Sequence, residues 1–474
     1  MWPSLFKIVG GSLVAVAVLW ALVLGWWQSG DYEPSRLDLA LYLGALPLAI
    51  VGGYFLLKGF IEHLKAPPAA EVPKNTPLAD LDPLTIAAAK TSAAERLFSI
   101  RLLNAFVVTA AGGDSESIFA AIKDGVRPPP NPSFTDSDGF PVFLAEVKDL
   151  DHSLIVEEFE GERRAVEFLE ARDDIKRAIA LLASVVDQSA DVLASYLKQP
   201  ERQPVLNVLW LIPNNWNGLD ATVLKAWLKM RYWSDLSDSC LSIKVVPVNH
   251  EAMALRQLDE IILDANRDSA KQVMTLVLGM MSSIDENVVE MLDANGTLFS
   301  AKRQHQSIPG EGAVALLLGH EAMLDGDELG QATVVSRVAL GVRDKPLGSG
   351  GRIRGKTVEQ LISGLLDVTG VEHSAIRAIV ADADHRADQL TEILDGLGSA
   401  FAHLDPIEDC STVGASCGAL SPISGLVALA CAHAKVLAED AHVLLISNQH
   451  PIERAVLLVS PPSAQTPSFN SANT

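Results

Sequence analysis

Cysteine is scarce in this chain: Cys240, Cys410, Cys417 and Cys431 are the only four in 474 residues. So few exclude a disulfide scaffold, and none shows the short paired spacing of a zinc site. The histidines (His305, His320, His373, His403, His433 and His442 among them) are scattered too, which excludes a metal-ligand cluster by spacing. Positive charge is also in deficit, with 37 Lys and Arg against 59 Asp and Glu, a net charge of −22. That excludes nonspecific attraction to nucleic acid or to anionic lipid. Charge is missing altogether from two runs, residues 8–27 and 39–57.

Each uncharged run has roughly the 20 residues needed to cross a bilayer core as a helix. A cleaved signal sequence is shorter and ends in small residues, whereas the first run ends on Trp26 and Trp27. Trp20, Trp26 and Trp27 suit the interfacial belt. Lys7 precedes the first run, and Lys58, Lys65 and Lys74 follow the second. The connector, 28–38, carries Asp31, Glu33 and Asp38 against Arg36 alone. The positive-inside bias predicts a two-helix anchor over 1–65 in an inner membrane, with both termini and everything downstream cytoplasmic.

Residues 66–83, rich in Pro and Ala, read as a linker, and 84–99 as a lead-in helix. Strand-like runs follow at 102–109, 140–147, 205–212, 243–248, 272–278, 313–318 and 333–342. They alternate with helical spacing at 115–123, 161–197, 222–230 and 251–264. Residues 125–138 contain four prolines and read as loop. A second set then begins: helix 358–368, strand 376–381, helices 388–397 and 424–437, strands 442–447 and 454–459. Two successive sets of strands and helices predict an α/β domain built from two similar halves, 101–462, before a disordered tail, 463–474.

Several local motifs run in order through this domain. Phe106-Val107-Val108-Thr109 leads to Asp114–Gly125, and Gly139-Phe140-Pro141-Val142 to Glu146-Val147-Lys148-Asp149. Ile308-Pro309-Gly310-Glu311-Gly312-Ala313 follows, then Ser411-Thr412-Val413-Gly414, Gly418-Ala419 and Ser447-Asn448. Together they resemble the β-ketoacyl synthases of the thiolase superfamily. The resemblance implies duplicated α/β/α/β/α layers and a two-fold dimer. It also implies a surface able to hold an acyl chain or an acyl carrier protein.

A working member of that family needs a cysteine at a buried helix N-terminus, with its thiolate stabilised by the helix dipole, and two further groups, His/His or His/Asn. The positions of this chain that match Cys, His and His are Val248, Asp382 and Ala415. His385 and Cys417 are the nearest substitutes; Cys240 precedes the strand that should lead to the nucleophile, and Cys410 sits at a strand or loop end. The family's glycine-rich gating loop is replaced by Gln449-His450-Pro451-Ile452-Glu453-Arg454, which lacks a glycine hinge. The resemblance therefore implies the fold without its chemistry: a binding or scaffold module on a membrane, in an envelope complex. Two-helix, synthase-like accessory components of the type VI secretion apparatus are similar in layout. The alternative is an acyltransferase with a non-standard site.

One further motif needs weighing. Gly350-Gly351-Arg352-Ile353-Arg354-Gly355-Lys356-Thr357 satisfies the phosphate-loop pattern, in which Gly350 and Gly355 would bend the backbone around phosphates, Lys356 would reach them and Thr357 would hold Mg²⁺. Such a loop should begin directly at a strand end, and here residues 344–349 intervene. A basic surface loop on an acidic domain is the expectation, with no cofactor and no metal implied.

Overall fold

The computed structural model describes residues 91–198, 204–216, 218–268, 272–349 and 353–463, with Trp20, Ala21 and Trp26. The chain divides into two compact units, 1–86 and 87–474. The expected anchor, the linker and the tail beyond 463 lie outside the described residues, apart from those three helical positions. Of the expected lead-in helix, residues 91–99 are described: 91–95 are helical, 96–97 turn, and Ser99 already opens the first strand. Among the described residues one helix, Asp173–Leu197, is long and apolar enough to cross a membrane, but more than half of its apolar window is buried in the domain.

The first half of the larger unit holds β1 (Ser99–Thr109), α1 (Ser115–Lys123), β2 (Pro130–Thr135), β3 (Pro141–Phe143), α2 (Arg163–Glu170) and α3 (Asp173–Leu197). It continues with β4 (Val205–Pro213), α4 (Ala221–Tyr232), β5 (Leu241–Val248), α5 (Glu251–Arg267), β6 (Val273–Ser282), α6 (Glu286–Ala294) and β7 (Glu311–Gly319). After β8 (Thr333–Ser336) and β9 (Ala339–Val342), the second half has α7 (Lys356–Thr369), β10 (Ile376–Ala381), α8 (Ala387–Leu397) and β11 (Cys410–Thr412). It closes with a one-turn α9 (Gly414–Cys417), α10 (Ser424–Glu439), β12 (His442–Ser447) and β13 (Glu453–Ser460).

The duplication expected from the sequence is visible in strand order. One sheet runs β5-β4-β6-β7-β1 and the other β11-β10-β12-β13-β9, each with three parallel strands followed by two antiparallel pairings. β8 joins them by pairing with both β1 and β13.

Alternation along the strands then sorts side chains into layers. On β12, Val443 and Leu445 face a central core shared with α5 and α10, while Leu444 and Ile446 face α7 and α8. On β4, Leu209 and Leu211 face the same central core, while Leu206, Val208 and Trp210 face α3 and α4. The result is α3/α4, sheet, α5/α10, sheet, α7/α8, the five layers expected.

Two expectations need correction. Residues 125–138 are not all loop, because β2 pairs with β3 in a small separate ribbon whose register is irregular. Prolines are tolerated in such an edge ribbon, where a missing N–H breaks no central ladder. Residues 333–342 are two strands rather than one. At the break, Arg337 donates to both Asp259 oxygens on α5, at 2.5 and 2.7 Å, and the Val338 N–H donates to the same carboxylate at 2.9 Å. A side chain thus takes the place of the ladder partner.

α5 and α10 meet where Gly425 faces Leu255; a Cβ on Gly425 would lie 3.0 Å from the Leu255 side chain. Leu255 is fully buried in the central core. Leu255→Ala is expected to cost about 2–5 kcal/mol of stability, the range for an unrelaxed core cavity, read as a lowered midpoint in denaturant titration.

Candidate functional site

Both central helices begin at the ends of parallel strands on the same side of the domain, so their unsatisfied N–H groups converge there. β5 ends at Val248, which is buried, and α5 starts three residues later at Glu251. His250 caps α5, its Nδ1 accepting the Met253 N–H at 3.3 Å. Asp382 follows β10 directly and is fully buried. Ala415 lies in the buried turn of α9, which is tied to β10 by the Val413 N–H donating to the Ala381 carbonyl at 2.9 Å. Val248, Asp382 and Ala415, the three positions singled out in the sequence, thus gather at one end of the central layer.

What fills that end is carboxylate. Asp382 Oδ2 accepts the Ser447 hydroxyl at 2.5 Å, and Oδ1 accepts the Asn448 and Gln449 N–H groups at 2.9 and 3.3 Å. The Gln449 side chain donates to the Asp382 carbonyl at 3.2 Å and accepts from Ser424, the first residue of α10, at 3.1 Å. Burial pushes the Asp382 carboxyl up from the ordinary aspartate range, and repulsion by Glu251 pushes it further. Glu251 is 2% exposed, and one of its carboxylate oxygens has no hydrogen-bond partner. Beside it the rings of His250 and His450 lie 4.4 Å apart, and His450 Nδ1 accepts the Glu453 N–H at 3.0 Å.

A second layer of charge fixes the loop after β12. Glu392 on α8 and Arg454 on β13 are both fully buried and paired at 2.9 Å. Arg343 also donates to Glu392, and Asn448 Nδ2 reaches it at 3.2 Å. The segment 447–454, where the family would have its glycine-rich gate, is therefore pinned from both sides.

The thiols stand apart from nucleophile chemistry. Cys417 is buried, 3.3 Å from the Thr109 hydroxyl, and burial pushes its thiol up to about 12. Burial raises Cys410 to about 11 and drives Cys431 upward as well. Cys240 is half-exposed and lowered by hydrogen bonds from Ser237 and Ser239, but it lies at the start of β5, the end away from α5's first turn. His385 directs Nε2 to the Gln304 carbonyl at 3.2 Å and its ring edge to Phe299. It belongs to a surface loop rather than to the Asp382 cluster. Among the other histidines, His433 is buried against the Thr333 hydroxyl at 2.8 Å and lowered to about 4 by desolvation. Among the described residues, no three His, Cys, Asp or Glu side chains are placed to share a metal ion.

Of the phosphate-loop pattern, residues 353–357 are described. Gly350 lies outside the described residues. Gly355 donates its N–H to the Asp395 carboxylate at 2.7 Å, and a Cβ there would meet the Gly396 nitrogen at 2.2 Å. Its glycine serves close packing of α7 on α8, and a carboxylate already occupies the helix start that a phosphate would need. Lys356 and Thr357 are the first residues of α7.

Sequence reasoning missed Glu251 and Glu392. The available signal was acidic residues in otherwise apolar surroundings, Glu251 opening the helix at 251–264 and Glu392 within 388–397.

A carboxyl raised in the folded chain binds its proton more tightly there than when unfolded. Asp382 therefore contributes its full stability below the ordinary aspartate range, about pH 4, and loses it as pH rises through the raised value. Asp382→Asn keeps an acceptor for the two N–H groups and stays neutral. The difference in melting temperature, variant minus native, is expected to become more positive from about pH 5 to about pH 8; a flat difference contradicts the assignment.

No protein-family model matches the sequence, and no curated protein matches it. Solved structures do. The ketosynthase from module 6 of the bacillaene synthase from Bacillus subtilis 168 superposes with a TM-score of 0.52 at 12% identity, over 77% of this chain and 72% of that one. AntDE:AntF, a type II PKS acyl-carrier protein in complex with its ketosynthase, gives 0.53 at 11% identity, over 77% and 99%. The ishigamide ketosynthase/chain length factor gives 0.50 at 16%, over 77% and 99%. At such identities the likeness establishes architecture alone. The larger unit has a thiolase-like ketosynthase fold.

Proposed function

We propose that this chain is a membrane-anchored thiolase-fold protein without condensing activity, acting as a binding or scaffold module on the cytoplasmic face. The observation that carries this is the buried carboxylate pair. A condensing-enzyme nucleophile is a thiolate at a helix N-terminus, where the dipole lowers its pKa. Here that turn offers Glu251, and Asp382 opposite is already engaged by three hydrogen bonds. The buried Cys417 is far from ionised at neutral pH. A body that retains the fold and not the nucleophile supplies shape and surface.

The anchor decides where that surface is displayed. Two uncharged runs with lysines outside them support a hairpin in the inner membrane. The fold supports a dimer, with β5 as the free edge of its sheet. Protein partners in an envelope assembly, such as a type VI secretion complex, fit this arrangement. The acyl-carrier protein in the AntDE:AntF assembly favours a second reading, in which the domain holds an acyl carrier protein without turning its cargo over.

Incubation of the purified chain with cerulenin and with acyl-CoA, followed by intact mass measurement, is expected to show no adduct. A stoichiometric adduct on one cysteine overturns the proposal. For the anchor, Ser35→Cys in the connector is expected to react with an impermeant maleimide from outside spheroplasts, while the native cysteines stay protected. Labelling only after lysis would place the connector on the cytoplasmic side.

A further inference from the structure

Two imidazoles meet beside Glu251, and each is used there as a hydrogen-bond acceptor. His450 Nδ1 accepts the Ile452 and Glu453 N–H groups at 3.3 and 3.0 Å and so closes the turn that leads into β13. His250 Nδ1 shares the Met253 N–H with its own carbonyl, at 3.3 and 3.1 Å, and caps α5. The ring centroids lie 4.4 Å apart, and His250 Nε2 stands 3.7 Å from Glu453 Oε1. A ring nitrogen accepts an N–H only while it carries no proton. Both imidazoles are therefore neutral here, with their single proton on Nε2.

A second proton on His450 would turn Nδ1 from acceptor into donor and deprive Ile452 and Glu453 of theirs. On His250 it would set positive charge at the positive end of the α5 dipole. Burial holds His450 below the ordinary histidine range, and the neighbouring His250 and Arg454 act in the same sense. Glu251 on α5 and Glu453 on β13 act against them. These two carboxylates would attract a charged His450, and Glu251 has a buried oxygen without a hydrogen-bond partner to offer it. The remaining charges at this end are engaged: Asp382 by the 447–449 segment, Glu392 by Arg454 and Arg343. His450 thus has one arrangement when neutral, as acceptor for the turn, and another when charged, as partner of carboxylates.

What such a change can release is narrow. Residues 447–449 are held by Asp382 and Arg454 by Glu392, neither through an imidazole. Between them, the Pro451 and Ile452 carbonyls accept the Leu347 and Arg343 N–H groups at 2.8 and 2.9 Å. The 450–453 turn therefore links the start of α5 to the segment that follows β9. We propose that the His250–His450 pair is a pH-sensitive clasp: neutral rings hold the 450–453 turn closed, and proton uptake by the pair opens it and frees 343–347. A histidine held below its ordinary range contributes its full stability above about pH 6.5 and loses it as pH falls. Asp382 works in the opposite sense, so loosening on acidification cannot come from it.

The test follows amide hydrogen exchange of the full-length chain from about pH 7.5 to about pH 5.5, with rates corrected for the intrinsic pH dependence of exchange. Protection of Arg343, Leu347, Ile452 and Glu453 is expected to fall about tenfold, the loss of one hydrogen bond, while β4 and α10 stay unchanged. His450→Asn offers a side-chain oxygen to the same N–H groups, as in an Asx turn, and cannot gain a proton. It should keep the turn protected throughout the range. His450→Leu, which offers no acceptor, should leave the turn open even at about pH 7.5. His250→Asn keeps a helix cap and removes the neighbouring ring, so the midpoint of opening should move to higher pH. Unchanged protection in the native chain overturns the proposal, as does a fall spread evenly over β4 and α10. So do an identical fall in His450→Asn and an unmoved midpoint in His250→Asn. Independently, long-range proton–nitrogen spectra of the native chain should show both rings protonated on Nε2 at about pH 7.5; a proton on Nδ1 of His450 overturns the clasp.

Discussion

The structure depends on one constraint: two helices, α5 and α10, must run through the middle of a five-layer stack with a sheet on each side. A helix in that position has almost no solvent-facing stripe to carry polar residues. α10 answers by being buried from Ser424 to His433, with its first charged side chain at Lys435. α5 lies nearer an edge and keeps an acidic outer face at Glu260 and Asp264, while Leu255, Leu258 and Ile262 face inward. Polar chemistry in the layer is thereby pushed to the helix ends, where backbone N–H groups lack intrahelical partners. The Asp382–Glu251 cluster is built at one such end.

The identity of the groups at those ends is a separate matter from the fold. A carboxylate at the first turn of α5 is favoured by the same helix dipole that would favour a thiolate. Exchanging the one for the other leaves the layers intact and removes the nucleophile. Asp382 is more demanding, since a buried carboxyl needs donors; the last residue of β12 supplies one and the loop after it two. Those hydrogen bonds hold segment 447–449 against β10, and the Glu392–Arg454 pair holds 454 in place beyond it. The segment is thus built as a strut rather than a gate.

The two halves share strand order, and each buries an ion pair near the start of its first antiparallel strand, with the signs exchanged. In the first half Glu311 opens β7 and accepts Arg177 of α3 at 2.6 and 2.9 Å, the Ser282 hydroxyl and the Val147 N–H. In the second, Arg454 on β13 meets Glu392 of α8. Buried pairs of this kind add little net stability compared with apolar packing, but removing one partner strands the other. Their physical effect is to fix where the helix crosses the strand ends. Glu311 holds the 144–147 segment beside the first sheet, and Glu392 holds the 447–454 segment beside the second.

Much of this was legible in the sequence, and the parts that were not share a physical cause. Runs that are apolar but for one residue, 205–212 broken by Asn207 and 376–381 by Arg377, announce buried strands, and they are found within a residue or two of their expected ends. The repeat of strand and helix order announced two halves. What escaped were features decided by side chains arriving from elsewhere in the chain. Asp259 intercepts Arg337 and Val338 and splits a run that reads as one strand. Phe143 and Val142 pair with a proline-rich segment that local propensity assigns to loop. At the candidate site, Asp382 could be placed by register with the family, whereas its coupling to Glu251 arises only when the two sheets stack and bring the ends of β5 and β10 to the same side. Local pattern specifies elements because it acts through neighbouring residues. The electrostatics of a buried site are set by the packing of distant ones, and they become readable only after the layers are assembled.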